Sequence, residues 1–366
     1  MKKVISVVGA RPNYMKVAPV HRAFERYRDS IEHLIVHTGQ HYSQSMSDAF
    51  FEDLKMPEPA EFLDVGSASH AEQTARIMVR FEKVCLERKP DLVLVAGDVN
   101  STIACALTAT KCGIRAGHIE GGLRSFDRTM PEEINRIATD AICDYCFVTE
   151  QSGLDNLKKE GFPAERAFFV GNTMIDSLHF AMPAARSCGI LPKMGLCPHE
   201  YALVTLHRPS NVDEPGQLRR ILEILAELSR RRIVVVPLHP RTRKNVDLFG
   251  LQSVIESAPG LRVIDPLGYI HFLGLVLEAD FVLTDSGGIQ EETTALGIPC
   301  ITMRTTTERP VTCEIGTNIL VHPEAEKLRQ AIADMMDKPR KVGRVPPLWD
   351  GRAAERIAEI LARLLK

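Results

Sequence analysis

The nine residues Thr284-Asp-Ser-Gly-Gly-Ile-Gln-Glu-Glu292 give the clearest indication of the fold of this chain. The apolar run Phe281–Leu283 comes directly before them, and the helix-like stretch Thr293–Leu296 comes directly after. This order predicts a buried strand, a tight Gly-Gly turn and the start of a helix. A helix N-terminus presents unpaired N–H groups and the positive end of the helix dipole, so the turn is a candidate phosphate site.

The side chains of the turn fit such a site. Gly287 and Gly288 have no Cβ and let an anionic ligand approach the backbone, and Ser286 adds a hydroxyl. Glu292 lies one helical turn beyond Gly288, where a carboxylate can accept hydrogen bonds from a ribose. An ordinary helix cap followed by a solvated acidic turn explains the stretch equally well, so the rest of the chain must decide.

Strand-like and helix-like segments alternate along the whole chain, which predicts an α/β fold. The strands are nearly all apolar, as expected where helices cover both faces of a parallel sheet. The predicted strands are Val4–Val8, His33–Thr38, Leu92–Ala96, Arg115–Ile119, Tyr145–Thr149 and Phe168–Val170, followed by Ala202–Leu206, Ile233–Leu238, Arg262–Ile264, Phe281–Thr284, Cys300–Met303 and Asn318–Val321.

The chain has 366 residues, a length that suggests two domains. Prolines and glycines punctuate residues 183–198, between the two runs of strands. We therefore predict two doubly wound, Rossmann-like domains facing a cleft, because such sheets bind ligands at the carboxyl ends of their strands. The predicted division is a first domain over 1–170, an interdomain segment over 171–199, a second domain over 200–348 and a terminal helix over 349–366.

Composition narrows the class of protein. Hydrophobic residues make up 45% and charged residues 25% of the chain, the balance of a globular protein. A formal net charge of −2 argues against nucleic acid and acidic membrane surfaces as partners, and no apolar run is long enough to span a bilayer. Nine scattered cysteines, an odd number, are typical of the reducing cytoplasm. No residue spacing indicates a metal site, a P-loop or a dinucleotide fingerprint.

Polar residues follow several strands of the first domain, at the edge where ligands bind. Arg11 and Lys16 are placed to clamp a diphosphate, although solvated bases on an amphipathic helix would look the same. Asp98 ends a buried strand, which favours a functional carboxylate over a helix cap. Glu120 ends the next strand and is placed for proton transfer, but an exposed loop residue explains it as well. Glu132 completes a Thr-x-x-Glu capping box, so a structural role is favoured there.

Two histidines follow strands of the second domain. His207 passes directly from strand to loop beside Arg208, which favours a phosphate contact or an acid–base role. His239 ends the next strand and supports a weaker form of the same interpretation. The polar run 304–310 suggests a binding loop, although an exposed loop has the same composition.

Eight motifs occur in a fixed order along the chain: Gly9-Ala-Arg-Pro12, Thr38-Gly-Gln-His41, Gly97-Asp98, His118-Ile-Glu-Gly-Gly-Leu-Arg124, Pro131-Glu-Glu-Ile-Asn-Arg136, Thr205-Leu-His-Arg208, Thr284-Asp-Ser-Gly-Gly-Ile-Gln-Glu-Glu292 and Thr307-Glu-Arg-Pro310. No single motif is specific, but their combination in this order is. Through it the chain resembles the non-hydrolysing UDP-N-acetylglucosamine 2-epimerases over essentially its whole length.

The resemblance implies a glycosyltransferase-B-like fold whose last helix crosses back to the first domain. It implies reversible conversion of UDP-GlcNAc to UDP-ManNAc, in which UDP is eliminated to leave a 2-acetamidoglucal and is then added back with inversion at C2. It also implies a cytoplasmic homodimer that uses no metal or other cofactor and serves cell-surface polysaccharide biosynthesis.

The resemblance also implies roles for individual residues. Asp98, Glu120 and Glu132 would be the acid–base carboxylates, so that Glu132 both caps a helix and catalyses. His207 would take part in catalysis by holding the diphosphate. The other residues implied to bind UDP are Arg11, Lys16, Ser286, Gly287 and Gly288 at the diphosphate, Glu292 at the ribose, Phe272 beside the uracil and Arg309 as the residue that closes the site.

Bacterial members of this family often have a second UDP-GlcNAc site that activates the enzyme. Gln40, His41, Gln73 and His239 match parts of that allosteric site. Glu72 stands beside Gln73 where those members resemble an Arg-Gln pair, so the charge is reversed at this position.

Three other functions remain open on the sequence. Related 2-epimerases act on a UDP-2,3-diacetamido uronate, and Thr205–Asn211 departs from the form found in many relatives, so the substituents at C3 and C6 of the sugar are open. A UDP-sugar glycosyltransferase would bind UDP at the same turn, but it needs only one base rather than three carboxylates. A non-catalytic UDP-sugar sensor would bind without exchanging the C2 hydrogen.

Overall fold

The computed structural model describes residues 1–39 and 53–366, apart from the side chain of Arg11. The predictions for Gln40 and His41 lie outside the described residues. The strands are β1 Lys2–Val8, β2 Ile31–His37, β3 Glu61–Phe62, β4 Leu92–Ala96, β5 Arg115–Ile119, β6 Tyr145–Val148, β7 Ala167–Phe169, β8 Tyr201–Thr205, β9 Ile233–Pro237, β10 Leu261–Ile264, β11 Phe281–Thr284, β12 Cys300–Met303 and β13 Asn318–Val321. The α-helices are α1 Arg11–Phe24, α2 His70–Arg88, α3 Asn100–Lys111, α4 Pro131–Ile142, α5 Gln151–Lys159, α6 Thr173–Ser187, α7 Ile190–Met194, α8 Pro209–Val212, α9 Pro215–Leu228, α10 Pro240–Leu248, α11 Gln252–Glu256, α12 Tyr269–Leu277, α13 Gly287–Leu296, α14 Pro310–Glu314, α15 Ala325–Asp337 and α16 Ala353–Leu364.

The chain forms two compact units, each built on one parallel sheet. Unit 1 comprises residues 1–181 and 347–366, and unit 2 comprises residues 182–346. The sheet of unit 1 has the strand order β3-β2-β1-β4-β5-β6-β7, and that of unit 2 has the order β10-β9-β8-β11-β12-β13. In each sheet the order reverses beside the first strand, between β1 and β4 and between β8 and β11, so both sheets are doubly wound as predicted.

The strand predictions differ from the structure mainly at the ends of elements. Strand β3, Glu61–Phe62, was missed because two residues at a sheet edge show no periodicity. Residues 171–199 are not irregular. They contain helix α6 with Pro183 inside it and the short helix α7, and the boundary between the compact units falls within α6.

The terminal helix belongs to unit 1, in agreement with the resemblance. Its apolar face buries Ala354, Ile357 and Leu361, and the helix packs against α1. Just before it, the indole of Trp349 is 2% exposed and donates a hydrogen bond to the carbonyl of Thr149 at 2.9 Å. Because a buried indole needs a partner for its N–H, this bond fixes the point where the chain re-enters unit 1.

Asp176 of α6 holds the N-terminus of the terminal helix. Its carboxylate accepts hydrogen bonds from the backbone N–H of Ala353 at 3.1 Å and of Ala354 at 2.7 Å. Burial nevertheless raises the pKa of Asp176 to about 6, because the two hydrogen bonds only partly oppose the loss of solvent. The folded-state pKa therefore lies above the unfolded value, and the contribution of Asp176 to stability is greatest at low pH and is lost as the pH rises through about 6.

We expect this titration to appear in the comparison of the wild type with Asp176→Asn, whose side chain stays neutral. Between about pH 4.5 and pH 7.5 the free energy of unfolding of the wild type, relative to the variant, should fall by about 2 kcal/mol, at about 1.4 kcal/mol per pKa unit. Urea unfolding followed by circular dichroism at several pH values measures this difference. A difference that does not depend on pH would contradict the prediction.

Candidate active site

Unit 1 places a buried ion pair at the carboxyl edge of its sheet. Lys16, on α1, donates a hydrogen bond to the carboxylate of Glu120, which directly follows β5, and the two residues are 5% and 4% exposed. Gly97, which follows β4, makes room for this pair, since a Cβ there would lie 2.6 Å from Lys16 Nζ and 3.3 Å from Glu120 Oε2. The sequence predicted both charged residues as site residues but did not predict that they pair.

Glu120 has a left-handed backbone with a φ of 73°, a conformation that non-glycine residues rarely adopt. Its N–H and that of Gly121 both donate to the carbonyl of Phe147, at 2.9 Å and 3.2 Å. Strain of this kind, held by surrounding bonds, concentrates at functional sites. The conformation therefore favours a functional Glu120 over an exposed loop residue.

Asp98 is held by helix α4. Its carboxylate accepts a hydrogen bond from Arg136, and its carbonyl accepts one from Asn135 at 2.9 Å. Helix α3 begins at Asn100, and its N-cap residue is Val99, which makes no side-chain cap bond, so the alternative of a helix cap at Asp98 is wrong. The Asp98 side chain is 26% exposed, which leaves a carboxylate at this edge that is positioned yet accessible.

The predicted capping box at Glu132 is also wrong. Helix α4 begins after Met130, which makes no side-chain cap, and the hydroxyl of Thr129 donates to Asp127 at 2.6 Å instead. The Glu132 carboxylate therefore takes part in no capping box, and the predicted role as a cap is removed.

The neighbouring Glu133 is the structural carboxylate. It is 1% exposed and accepts hydrogen bonds from the backbone N–H of Ser125 at 2.9 Å and of Phe126 at 3.0 Å. It also pairs with Arg136 at 2.7 Å, the same arginine that holds Asp98. Burial alone would raise the pKa of Glu133, but these bonds outweigh burial and lower it.

Asn13 anchors the first helix to the site. Its side-chain oxygen accepts hydrogen bonds from the N–H of Ala10 at 3.0 Å and of Gly9 at 3.3 Å, and its amide donates to the carbonyl of Ala96 at 2.7 Å. The start of α1 is thereby fixed to the end of β4. Arg11 is the first residue of α1, and its predicted contact with a diphosphate lies outside the described side chains.

Unit 2 holds His207 in a fixed orientation through Asp285. Asp285 is fully buried and accepts hydrogen bonds from the backbone N–H groups of His207 and Arg208 and from Asn211. The Nδ1 of His207 lies 2.8 Å from the same carboxylate. Burial would raise the pKa of Asp285, but the contacts with His207, Arg208 and Asn211 outweigh burial and lower it. An ionised Asp285 therefore accepts a hydrogen bond from the Nδ1–H of His207, which leaves Nε2 of this partly exposed ring for a ligand.

His239 has a structural partner. Its Nδ1 accepts a hydrogen bond from the N–H of Arg241 at 3.2 Å and so caps helix α10. Its ring lies 5.7 Å from that of His207, measured between ring centroids. The cap explains why a histidine ends β9, and the ring remains beside the candidate site.

The Gly-Gly turn has the geometry that the sequence predicted. Ser286 precedes helix α13 with an extended backbone and makes no side-chain cap, and Gly287 and Gly288 are the first residues of the helix. A Cβ at Gly287 would lie 2.8 Å from Glu308 Oε1. A side chain at this position would therefore press on the Glu308 carboxylate packed against the helix start, a contact that the sequence did not reveal.

Arg309 is embedded in acidic residues of unit 2. It lies 2.8 Å from Glu308 and 2.5 Å from Glu291, and Arg304 lies 2.8 Å from Glu308. All four residues are at most 8% exposed. The Arg309 guanidinium is therefore already paired with carboxylates. Its role in closing a site stays a prediction.

Glu292 is hydrogen bonded to the helix that carries Phe272. The hydroxyl of Tyr269 donates to Glu292 at 2.9 Å, and Phe272 lies one helical turn beyond Tyr269 on α12. Glu292 is 4% and Phe272 8% exposed. Tyr269 was missed because it has no sequence signal of its own.

Gln73, a candidate allosteric residue, is 4% exposed and already hydrogen bonded within unit 1. Its amide donates to the carbonyl of Gly66 at 3.0 Å, and its oxygen accepts from Asn100 at 2.8 Å. The neighbouring Glu72, which reverses a charge, forms an exposed ion pair with Arg76.

Two features are absent from the described residues. No helix of residues 1–39 and 53–366 combines the length and apolar character needed to cross a bilayer. Within the same ranges, no group of three or more His, Cys, Asp or Glu side chains could hold a metal ion.

Two Rossmann-like sheets with charged residues at their carboxyl ends define a protein of the glycosyltransferase-B-like class. The sequence profile of the UDP-N-acetylglucosamine 2-epimerase family matches residues 23–362. The chain belongs to this family and is therefore an isomerase.

Individual relatives are similar over nearly their full length. The chain is 42% identical to a UDP-N-acetylglucosamine 2-epimerase of Methanocaldococcus jannaschii, over 98% of each chain. It is 41% identical to a UDP-2,3-diacetamido-2,3-dideoxy-D-glucuronate 2-epimerase of Pseudomonas aeruginosa, over 99% of this chain and 100% of the relative. The crystal structure of the M. jannaschii enzyme in complex with UDP-GlcNAc and UDP superposes with a TM-score of 0.90, over 99% of this chain and 100% of that one.

Proposed function

We propose that this protein interconverts UDP-GlcNAc and UDP-ManNAc by inversion at C2. The observation that carries the proposal is the Lys16–Glu120 pair beside Asp98 at the carboxyl edge of the unit 1 sheet. The similarity to an archaeal epimerase solved with UDP-GlcNAc and UDP supports the identity of the substrate.

The chemistry proposed is elimination followed by re-addition. A carboxylate of unit 1 takes the C2 proton, the C–H electrons form the C1–C2 double bond, and UDP leaves with the electron pair of its bond to C1. UDP then returns to C1 while C2 receives a proton on its opposite face. Because one carboxylate cannot easily reach both faces, we assign proton transfer to Asp98, Glu120 and Glu132 together.

We assign the binding of UDP to the start of helix α13 and to His207 in unit 2, together with two cationic side chains of unit 1. The N–H groups of Ser286, Gly287 and Gly288 and the Nε2 of His207 would contact the diphosphate, as would Arg11 and Lys16. Glu292 would hold the ribose, Phe272 would lie by the uracil and Arg309 would close the site. A departing diphosphate is stabilised by such preorganised donors, which lowers the barrier to elimination.

Proton NMR of UDP-GlcNAc with the protein in deuterated water tests the proposal. We expect deuterium to replace the C2 hydrogen and the signals of UDP-ManNAc to appear without any acceptor. Binding without exchange would support a sensor instead. Turnover that requires an acceptor would support a glycosyltransferase.

The same experiment with a UDP-2,3-diacetamido uronate tests the second candidate substrate. The P. aeruginosa relative, named for that substrate, is nearly as similar to this chain as the M. jannaschii enzyme, 41% against 42%. Faster exchange with the uronate would mean that the uronate is the substrate. The proposed elimination and re-addition of UDP would stay the same.

Gly97→Ala tests whether the space around the Lys16–Glu120 pair matters. A Cβ at Gly97 would press on Lys16 Nζ, and we expect turnover to fall at least about 10-fold, since small misplacements of catalytic groups are costly. Gly113→Ala is the matched control. Gly113 has a similar φ of 73° but no atom within 4 Å of an added Cβ, so it carries the backbone strain without the clash. Equal turnover in the two variants would contradict the prediction.

We also propose that the protein is a cytoplasmic homodimer and that it needs no added cofactor. Light scattering on the purified protein measures the mass of the assembly. Activity after exhaustive dialysis against a chelator measures the need for a metal.

A further inference from the structure

His118 lies under the unit 1 site with both ring nitrogens facing acceptors. Its side chain is fully buried, Nδ1 lies 2.6 Å from a carboxylate oxygen of Asp140, and Nε2 lies 2.8 Å from the carbonyl oxygen of Gly97. A carbonyl oxygen and an ionised carboxylate can only accept hydrogen bonds. A ring that satisfies both must donate from both nitrogens, which makes it an imidazolium.

The surroundings of Asp140 keep its carboxyl ionised. Arg124 lies 2.7 Å from the second oxygen, and the N–H of Gly122 donates to the same oxygen at 3.0 Å. Burial would raise the pKa of Asp140, but His118 and Arg124 together outweigh burial and lower it. The thiol of Cys146 also approaches this carboxylate, at 3.5 Å.

The formal charges of this network cancel, and all of its members except Glu160 are buried. Arg124 makes a second ion pair with Glu160 at 2.5 Å, so two cations, His118 and Arg124, face two anions, Asp140 and Glu160. A buried charge is tolerated when it is paired and hydrogen bonded in this way. A cationic His118 is therefore consistent with its complete burial.

The network is hydrogen bonded to the two loops that carry Asp98 and Glu120, the proposed acid–base residues that follow β4 and β5. The His118 ring holds the carbonyl of Gly97, the residue before Asp98, and Asp140 holds the N–H of Gly122, two residues after Glu120. Glu120 has a left-handed backbone with a φ of 73°. A residue with a side chain keeps this conformation only where surrounding contacts hold it.

We propose that His118 is a positioning residue, a buried imidazolium that, with Asp140, fixes the loops of Asp98 and Glu120 and exchanges no proton with the substrate. This inference rests on the proposed function, because it assigns a task within that site. It predicts a loss of catalytic geometry without a loss of the UDP contacts assigned to unit 2.

The protonation state can be read on the unaltered protein. In protein labelled with ¹⁵N-histidine, two-bond proton–nitrogen correlation spectra at neutral pH should show one ring with both nitrogens protonated. His33 is an internal reference, because burial lowers its pKa to about 3 and its ring is neutral under the same conditions. Asp140→Asn should return the imidazolium signal to a neutral tautomer. The absence of any imidazolium ring in the wild type would overturn the proposal.

The kinetic test uses His118→Gln, which removes the cation and keeps one donor. We expect kcat for the C2 exchange to fall about 100-fold, the scale of a misplaced catalytic group, with UDP affinity by calorimetry within about threefold of the wild type. Unchanged kcat would overturn the proposal. If the wild type itself shows no exchange, the proposed function fails, whereas the NMR result still decides whether His118 is cationic.

Discussion

Glu120→Gln is expected to lower turnover of UDP-GlcNAc by at least about 100-fold, the usual scale for loss of a general acid or base. The amide is nearly the same size as the carboxylate but cannot take a proton from C2. The UDP contacts assigned to unit 2 are unaffected, so calorimetry should still detect binding of UDP. Deuterium incorporation at C2 should be lost together with turnover.

Loss of the Lys16 partner must be separated from loss of the base. Lys16 is buried, and a buried charge left unpaired destabilises a protein by several kcal/mol. Glu120→Asp keeps the charge but withdraws it by one methylene, so it should unfold like the wild type and still lose turnover. Glu227→Gln, which removes an exposed partner of Arg329 in unit 2, should leave turnover within about twofold. Near-normal turnover of folded Glu120→Gln would show that the residue is only a partner for Lys16.

The same substitution at the other two carboxylates completes the test. Asp98→Asn and Glu132→Gln should each lose at least about 100-fold in turnover while still binding UDP. A cap role no longer offers an alternative for Glu132, because the N-cap residue of α4 is Met130 and no capping box forms. If Glu132→Gln turns over normally, this residue is neither a cap nor an acid–base group.

Residues at the ends of strands were predictable because their position is a local property of the sequence. Asp98, Glu120 and His207 each directly follow an apolar run or come within two residues of its end, and parallel strands bring such residues to one edge of a sheet. The alternation of apolar strands and helices predicted both sheets for the same reason. Resemblance to a family then added residues such as Phe272, which has no local signal.

The partners of these residues were not predictable because they are distant in sequence. Lys16 and Glu120 are 104 residues apart, and His118 and Asp140 are 22 apart. The capping prediction at Glu132 failed for a different reason. The N–H groups of Ser125 and Phe126, in the loop before α4, donate to Glu133. Glu133 therefore holds this loop, and the local Thr-x-x-Glu pattern forms no capping box.

Asp285→Asn is expected to have the second large effect, through the orientation of His207. The fully buried carboxylate of Asp285 accepts hydrogen bonds from two backbone N–H groups, from Asn211 and from the His207 ring. An amide at this position turns a donor towards these groups, so at least one of them loses its partner, at a cost of about 1–3 kcal/mol. It also removes the negative charge beside Nδ1 that holds the His207 ring in one orientation.

This loss of orientation should reach the substrate. Without the carboxylate beside Nδ1, the ring is no longer held with Nε2 directed to the diphosphate, and we expect turnover to fall at least about 100-fold, in line with the large loss when an orienting aspartate is replaced in a Ser-His-Asp triad. Asp213→Asn, which removes an exposed partner of Arg241 in the same unit, is the control and should change turnover little. Steady-state kinetics over a range of pH measures both variants. A folded Asp285→Asn protein with wild-type turnover and pH profile would mean that the orientation of His207 is not needed, and the histidine would then have to act through its charge alone.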